Sequence, residues 1–157
     1  MRRSDREITD KNEVLRLLDS FSNLRLGLFD TVYPYIVPVT FARDPEQEAP
    51  VLYFHASPEG KRAELLRKCG RVCIEADRDA GFLAVGNGAT TRYESVIGFG
   101  VCEEITDPAG KLRALTLLLE KTGFGEIEAA ACASLGYTAV YRITLSELTG
   151  KRNKMPE

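Results

Sequence analysis

Tyr53-Phe54-His55-Ala56-Ser57-Pro58-Glu59-Gly60-Lys61-Arg62 is the stretch on which the reading of this chain turns. It carries the only histidine, and it reads as a strand that stops abruptly and becomes a helix. Val51, Leu52, Tyr53 and Phe54 suit a buried strand. Ser57 is a good N-cap, and Pro58 stands where the first helical residue belongs. Ala63, Leu65, Leu66 and Cys69 follow at helical spacing, and Gly70 is placed to close the helix. A helix start has free backbone N–H groups, and Lys61 just inside it adds a positive charge. The turn therefore suits an anion such as a phosphate. The plainer reading of the same residues is a capped amphipathic helix whose Lys61 and Arg62 are merely solvated.

Toward the N-terminus, Asp10 followed by Glu13 forms a capping box. Val14, Leu15, Leu17, Leu18 and Phe21 give that helix its apolar face. Leu24, Leu26 and Leu28 alternate with Arg25 and Gly27, a strand pattern. The segment Asp30 to Pro34 turns the chain. Tyr35 to Phe41 returns as a strand with Val37, Val39 and Phe41 on one side. Pro38 cannot donate a ladder hydrogen bond, so this strand is an edge or carries a bulge. Arg43 to Pro50 reads as a loop.

Toward the C-terminus, Val72, Ile74 and Ala76 form a strand. Asp77 to Thr90 contains Gly81, Gly86 and Gly88 and reads as a long loop with a short apolar insert at Phe82 to Val85. Thr91 to Ile105 is a long strand whose Gly98 and Gly100 signal a kink or a close approach. Asp107-Pro108 starts a helix with Leu112, Leu115, Leu118 and Leu119 as its buried stripe. Phe124 to Leu135 reads as a further helix, Tyr137 to Leu145 as a last strand, and Ser146 to Glu157 as a charged tail. The sum is about six mainly antiparallel strands with flanking helices, which favours an α+β fold with a closed or partly closed barrel. It forms a single domain over residues 1–157, with 1–9 as an N-terminal arm and 146–157 as a C-terminal tail.

The length of 157 residues suits one domain with a proper core. A hydrophobic content of 44% argues against disorder. With 21 basic and 23 acidic residues the formal charge is −2, which provides no field for a nucleic-acid backbone. Arg2, Arg3 and Arg6 interleave with Asp5 and Glu7, the pattern of a solvated arm. The N-terminus is charged and lacks an apolar leader, and no apolar run approaches the roughly 18–20 residues that span a bilayer. The expectation is a cytoplasmic protein with no membrane or nucleic-acid partner. Cys69, Cys73, Cys102 and Cys132 lack metal-ligand spacing, and one histidine cannot complete a usual zinc set. No metal site is expected, and the thiols are expected to be reduced and mostly buried.

Four segments, in order along nearly the whole chain, resemble the pyridoxamine 5′-phosphate oxidase-like flavoproteins, and within them the nitroimidazole-resistance branch. They are Met1-Arg2-Arg3-Ser4-Asp5-Arg6-Glu7-Ile8, Pro34-Tyr35-Ile36-Val37-Pro38-Val39-Thr40-Phe41, His55-Ala56-Ser57-Pro58-Glu59-Gly60-Lys61, and Tyr93-Glu94-Ser95-Val96-Ile97-Gly98-Phe99-Gly100. The resemblance implies a split β-barrel homodimer with FMN at the subunit interface. Carried over residue by residue, Val37, Pro38, Val39 and Thr40 run along the flavin ring and ribityl chain. His55, Ala56 and Ser57 sit at the strand end beside the cofactor. Lys61 matches the lysine that binds the FMN phosphate, with Arg62 beside it. Ser95 matches a polar position that reaches the flavin from the partner subunit, and Tyr93 shares its face by the period of two. His55 lies nearest the substrate side of the ring and is the candidate catalytic residue.

Two departures bear on substrate choice. The strand at Leu24 to Phe29 lacks a cysteine often found there in relatives, and the Gly81 to Gly88 insert has no counterpart. A flavin carries redox chemistry itself, which accounts for the absence of a catalytic triad or carboxylate pair. No G-x-G-x-x-G follows a strand, so any NAD(P)H visits transiently. Two function classes stay open. One is an FMN-dependent oxidoreductase that reduces a small acceptor such as a nitro-aromatic. The other is a binding protein of the same fold that holds a flavin or haem without turnover, since a single histidine near an apolar pocket also suits haem. Pyridoxamine phosphate oxidation itself would need further basic residues for a second phosphate.

Overall fold

The computed structural model describes residues 3–124 and 138–153. Among the described residues, eight strands form one antiparallel sheet with three α-helices, an α+β split barrel. The strands are β1 (Glu7–Ile8), β2 (Asn23–Leu28), β3 (Tyr35–Thr40), β4 (Ala42–Asp44), β5 (Val51–Ala56), β6 (Arg71–Val85), β7 (Gly88–Ile105) and β8 (Ala139–Asn153). The helices are α1 (Lys11–Asp19), α2 (Lys61–Lys68) and α3 (Pro108–Thr122). The sheet order is β3-β2-β6-β7-β8-β5-β4, with β1 added on β8.

That order explains the barrel. β3 and β4 are the two ends of the sheet, yet only Phe41 separates them in sequence. Chain continuity therefore draws the ends together, and the sheet must curl. The hydrogen-bond ladder lapses at this seam, where Phe41 is fully buried. The barrel interior takes Leu24, Leu26 and Leu28 from β2, Leu52 and Phe54 from β5, Ile74 from β6, Val96 from β7 and Ile143 from β8. The alternation in β2 is the expected one, leucine inward and Arg25 outward. Pro38 indeed lies in an edge strand, β3, which pairs only with β2 among the described residues.

β5 is buried on both faces. Leu52 and Phe54 face the barrel, where Phe54 stacks on Tyr141 with centroids 4.9 Å apart. Val51 and Tyr53 face α3 in a second cluster with Ile105, Ala114 and Val140. The continuous apolar run of this strand is the signature of a strand covered on both sides. On α3 the buried stripe is Ala114 and Leu118; Leu112 lies 44% exposed, so the all-leucine stripe is corrected. Close packing of the helix on β5 takes the small alanine at its centre.

Several boundaries differ from the sequence reading. Arg43 belongs to β4, because Ala42 to Asp44 pair with Val51 to Tyr53. Asp77 to Thr90 is no loop: β6 and β7 run on as a hairpin that turns at Gly86 and Asn87. Residues 146–153 are strand, since β8 is paired there by β7, and at Gly150 and Lys151 by β1 as well. The N-terminal arm is thereby pinned, with Glu7 opposite Lys151. Glu13 does not close a capping box; Asp10 caps α1 by accepting from Asn12 N–H at 2.9 Å, and Glu13 pairs with Arg152. The helix expected over Phe124 to Leu135 and the first residues of the last expected strand lie largely outside the described residues. Of the thiols, only Cys102 is buried, which pushes its pKa up to about 12; Cys69 and Cys73 are half-buried. Cys132 lies outside the described residues.

Gly100 marks the close approach that its strand pattern signals. A Cβ there would come within 2.2 Å of the Thr144 carbonyl oxygen. The ladder slips at this point, with Phe99 opposite Glu147 but Gly100 opposite Leu145.

Candidate functional site

The site begins where β5 runs out of partners. Ala56 opposite Ala139 is the last rung of the β5–β8 ladder. Beyond it Ser57 Oγ accepts from Glu59 N–H at 3.2 Å, a local turn that ends the strand. Ser57 is therefore a turn residue and not the N-cap, and Pro58 is not the first helical residue. The cap is Gly60, at φ +94°, a conformation that L side chains rarely adopt. Lys61 becomes the first residue of α2, and no side chain caps the free N–H groups of that turn. Gly70 does not adopt a left-handed C′ conformation; Cys69 ends α2 in extended backbone. Gly70 instead serves a close approach, its Cα side facing the Cys102 carbonyl.

Three cations gather at this turn. Lys61 Nζ pairs with Asp30 Oδ2 at 2.6 Å and lies 5.0 Å from the Tyr35 ring centroid. Arg62 Nη2 donates to the Ser57 carbonyl at 3.2 Å, and Arg67 Nη1 to the Pro58 carbonyl at 3.3 Å. Arg62 Nε is buried and has no hydrogen-bond partner among the described residues. The hydrogen bond with Asp30 raises the Lys61 pKa and lowers that of Asp30, so the pair is fully ionised at neutral pH. His55 is exposed at the end of β5, opposite Val140, while its neighbour Ala56 is half-buried against the core.

Asp30 joins this cationic rim to an apolar groove of about 600 Å³. Phe29, Val32, Tyr33, Ile36, Phe99 and Val101 line it, together with Cys73 and Arg71. A groove of that size is in the range of small-molecule sites, roughly 300–1,000 Å³. Its walls are conspicuously exposed: Val32 is 74% and Tyr33 77% accessible. None of Phe29, Val32, Tyr33 or Val101 was singled out for the site from sequence. Their signal was available as an apolar turn beside Asp30, a place where polar residues are the norm.

The sequence-predicted residues divide into two groups. His55, Ala56, Ser57, Lys61 and Arg62 come together at the rim. In β3, Val37 and Val39 turn toward the core, while Pro38 and Thr40 face outward, Thr40 Oγ1 donating to Asn23 Oδ1 at 2.8 Å. Tyr93 and Ser95 are elsewhere. Val140, which pairs with His55, pairs also with Ile105. From Ile105 back to Ser95 is ten residues, about 33 Å along β7 at ~3.3 Å per residue. One chain does not bring Ser95 to His55. Tyr93 sits instead among cations, with Arg6 6.0 Å and Lys151 5.7 Å from its ring centroid. Burial opposes ionisation of the Tyr93 phenol, but hydrogen bonds with Arg6 and Lys151 outweigh it and lower the pKa.

Among the described residues no helix is long and apolar enough to cross a membrane. No curated protein matches the chain. Solved structures do. A proposed 5-nitroimidazole antibiotic resistance protein from Bacteroides thetaiotaomicron is 24% identical, with a TM-score of 0.82 over 92% of this chain and 85% of that one. A FAD-binding protein from Mesorhizobium loti is also 24% identical, with a TM-score of 0.67 over 95% and 98%. A FAD- and haem-binding protein from Mycobacterium smegmatis is 21% identical, with a TM-score of 0.78 over 97% and 76%. At these identities the likeness is one of fold. The family model described as pyridoxamine 5′-phosphate oxidase matches residues 10–152, and with that extent of match the chain belongs to the pyridoxamine 5′-phosphate oxidase family.

Proposed function

We propose that the protein is a flavin-dependent oxidoreductase that takes FMN at the Lys61 rim, acts as a homodimer, and reduces a small acceptor such as a nitroimidazole. The observation that carries the reading is the donor set beside Asp30. A phosphate dianion needs charge and several hydrogen-bond donors. Lys61 and the uncapped first turn of α2, with the Arg62 guanidinium at the same turn, offer both. The residues present fit the group. Ser57 and Ala56 would flank it, and the apolar groove next to Asp30 would take the planar ring, with the outward faces of Pro38 and Thr40 along β3.

When bound, the flavin supplies the hydride and electron chemistry itself. The chain contributes binding, orientation and exclusion of water. Asp30 holds Lys61 extended toward the rim. Ile36, Phe99 and Val101 present a dry surface. His55, exposed at the end of β5, orients the acceptor or donates a proton to it. The exposed apolar residues Ile97, Phe99 and Val101 on β7 support a second copy as their cover, because a lone chain would leave a continuous apolar face in water. That copy would bring its Ser95 and Tyr93 to the flavin, which a single chain does not.

The absorption spectrum of the purified protein tests the reading first. A flavin spectrum supports it, whereas a Soret band supports the haem-binding alternative. A colourless protein that binds neither FMN nor FAD on titration ends the flavin reading. His55→Ala should keep flavin and lose about 10²–10⁴-fold in anaerobic flavin reoxidation by a nitroimidazole, the scale of general acid catalysis. Reoxidation at the wild-type rate would leave His55 without a catalytic role. Light scattering should report the mass of two chains.

A further inference from the structure

The β6–β7 hairpin is the part of the chain that this function leaves unused. Both strands outrun their neighbours. β8 accompanies β7 only to Tyr93 opposite Asn153, and β2 accompanies β6 only from Val72 to Glu75. Four rungs, from Phe82 opposite Thr91 to Val85 opposite Gly88, run past the last ladder partner on either side among the described residues, with the Asn153 side-chain amide donating to Thr90 Oγ1 and the Thr91 carbonyl at their base. A two-stranded ribbon is marginal by itself in water. Its tip is nevertheless apolar, with Phe82 76% and Val85 45% exposed.

A bulge decides where Phe82 points. Asp79 faces Tyr93 and Phe82 faces Thr91, so three steps on β6 match two on β7. Gly81 absorbs the extra residue at φ +79°, and its N–H donates to Asp79 Oδ1 at 2.6 Å. One inserted residue exchanges the two faces of everything beyond it. Without the bulge Leu83 would continue the outward series Cys73, Glu75, Asp77. With it, Phe82 joins the face that carries Tyr93, Ser95, Ile97 and Phe99. The result is one stripe running from the arm to the apolar groove, exposed at Phe82, Ile97 and Phe99 and half-buried at Thr91, Tyr93 and Ser95.

We propose that Phe82 of one protomer closes the flavin site of the other. This rests on the flavin-bound dimer proposed above, in which Ser95 reaches the cofactor held by the other chain. Phe82 stands across from Thr91, four residues past Ser95, about 13 Å along the strand. That step carries an aromatic ring from the flavin contact to the mouth of the same site. Phe82 cannot serve its own chain. Thr91 is eight residues from Phe99, which lines the groove of the same chain, or about 26 Å along β7. The occupant is a second copy because the stripe continues the face that the dimer would cover. A two-fold contact is moreover self-complementary, so arm-to-site on one side implies arm-to-site on the other.

The chain has no tryptophan, so Phe82→Trp introduces a lone indole in the full-length protein. FMN binding should quench its emission by roughly tenfold or more, as expected for an aromatic group in contact with the ring. A control indole at the exposed α3 position, Leu112→Trp, should be quenched far less. Phe82→Ala should speed FMN dissociation roughly tenfold while the dimer mass is unchanged, the scale of a lost anchor. If the wild type binds FMN as a dimer, yet Phe82→Ala releases it at the wild-type rate and both indoles are quenched alike, the arm lies elsewhere and the proposal is overturned. A wild type that is monomeric or binds no flavin overturns the underlying reading, and the arm's role with it.

Discussion

Asp44 and Asp30 each meet a cation at 2.6 Å, and the two pairs do different work. Asp44 is wholly buried. It accepts from Arg113 Nε at 2.8 Å and Nη2 at 2.6 Å, from Tyr53 O–H at 3.1 Å and from Glu46 N–H at 3.0 Å. Its acceptor capacity is filled by three elements, and it fastens α3 to β4 and β5. Asp30 lies at a rim, and Lys61 is 54% exposed. An ammonium has three protons to donate, and Asp30 takes one. A saturated buried pair is a fastening. An unsaturated pair at the edge of a groove is exchangeable, and an entering anion can compete with Asp30 for Lys61.

The largest effect should come from the fastening. Asp44→Ala leaves buried Tyr53 and the Glu46 amide without their acceptor, while the half-exposed Arg113 keeps Glu46 at 2.8 Å, and should cost about 2–3 kcal/mol of stability in urea denaturation. A loss under 1 kcal/mol would erase the contrast between the pairs. The same pair sets a pH dependence. Hydrogen bonding by Arg113 outweighs burial and lowers the Asp44 pKa to about 2, against about 3.9 for an unfolded aspartate. A depressed carboxylate contributes stability that is complete above the unfolded value and disappears as pH falls through the folded one. The advantage of wild type over Asp44→Asn should therefore shrink between about pH 4 and pH 2, as read by acid unfolding of both.

The exchangeable pair should respond in binding and not in stability. Lys61→Ala should weaken FMN roughly tenfold to a hundredfold, the scale of a charged hydrogen bond. Its ligand-free melting temperature should stay near wild type, because exposed ion pairs add little. Equal FMN affinity in the two proteins would remove Lys61 from the phosphate. The smallest effect, and the sharpest discriminator, is Asp30→Asn. It removes the competitor and keeps the shape, so FMN should bind about 2–5-fold tighter if Lys61 is shared with the phosphate. Weaker binding would mean that Asp30 positions Lys61 more than it occupies it.

The rim was legible in the sequence because its chemistry is local. Lys61, Arg62, Ser57 and His55 lie within eight residues, and a turn between a strand and a helix brings them together whatever surrounds it. Even there, the cap was misread. Ser57 has the chemistry of an N-cap, but its hydroxyl serves the preceding turn, and Gly60 takes the cap because the backbone there needs positive φ. The apolar residues of the groove were less legible. Phe29 and Val32 are neighbours, but Phe99 is far from them in sequence and joins them only because Gly27 pairs with Cys73, and Cys73 with Phe99.

Residues 146–153 and 77–90 show the same limit from the other side. Both are polar or glycine-rich enough to read as tail and loop. Lys151 and Arg152 are strand because β7 pairs with both and β1 with Lys151, and because Glu94 and Glu13 neutralise Arg152. The hairpin exists because β6 and β7 extend one another past the rest of the sheet.

Alternation in β2, the doubly apolar run of β5 and Pro38 at an edge are properties of neighbouring residues. Side-chain period and backbone chemistry settle them before any long-range contact forms, and they determined the antiparallel α+β class and the cationic turn. The exchange of partners along β8, the bulge that aims Phe82, and the 33 Å scale that separates Ser95 from His55 along β7 depend on register. Register is a pairing between distant segments, in which a slip of one residue turns every side chain to the other face. Only the assembled sheet could decide it.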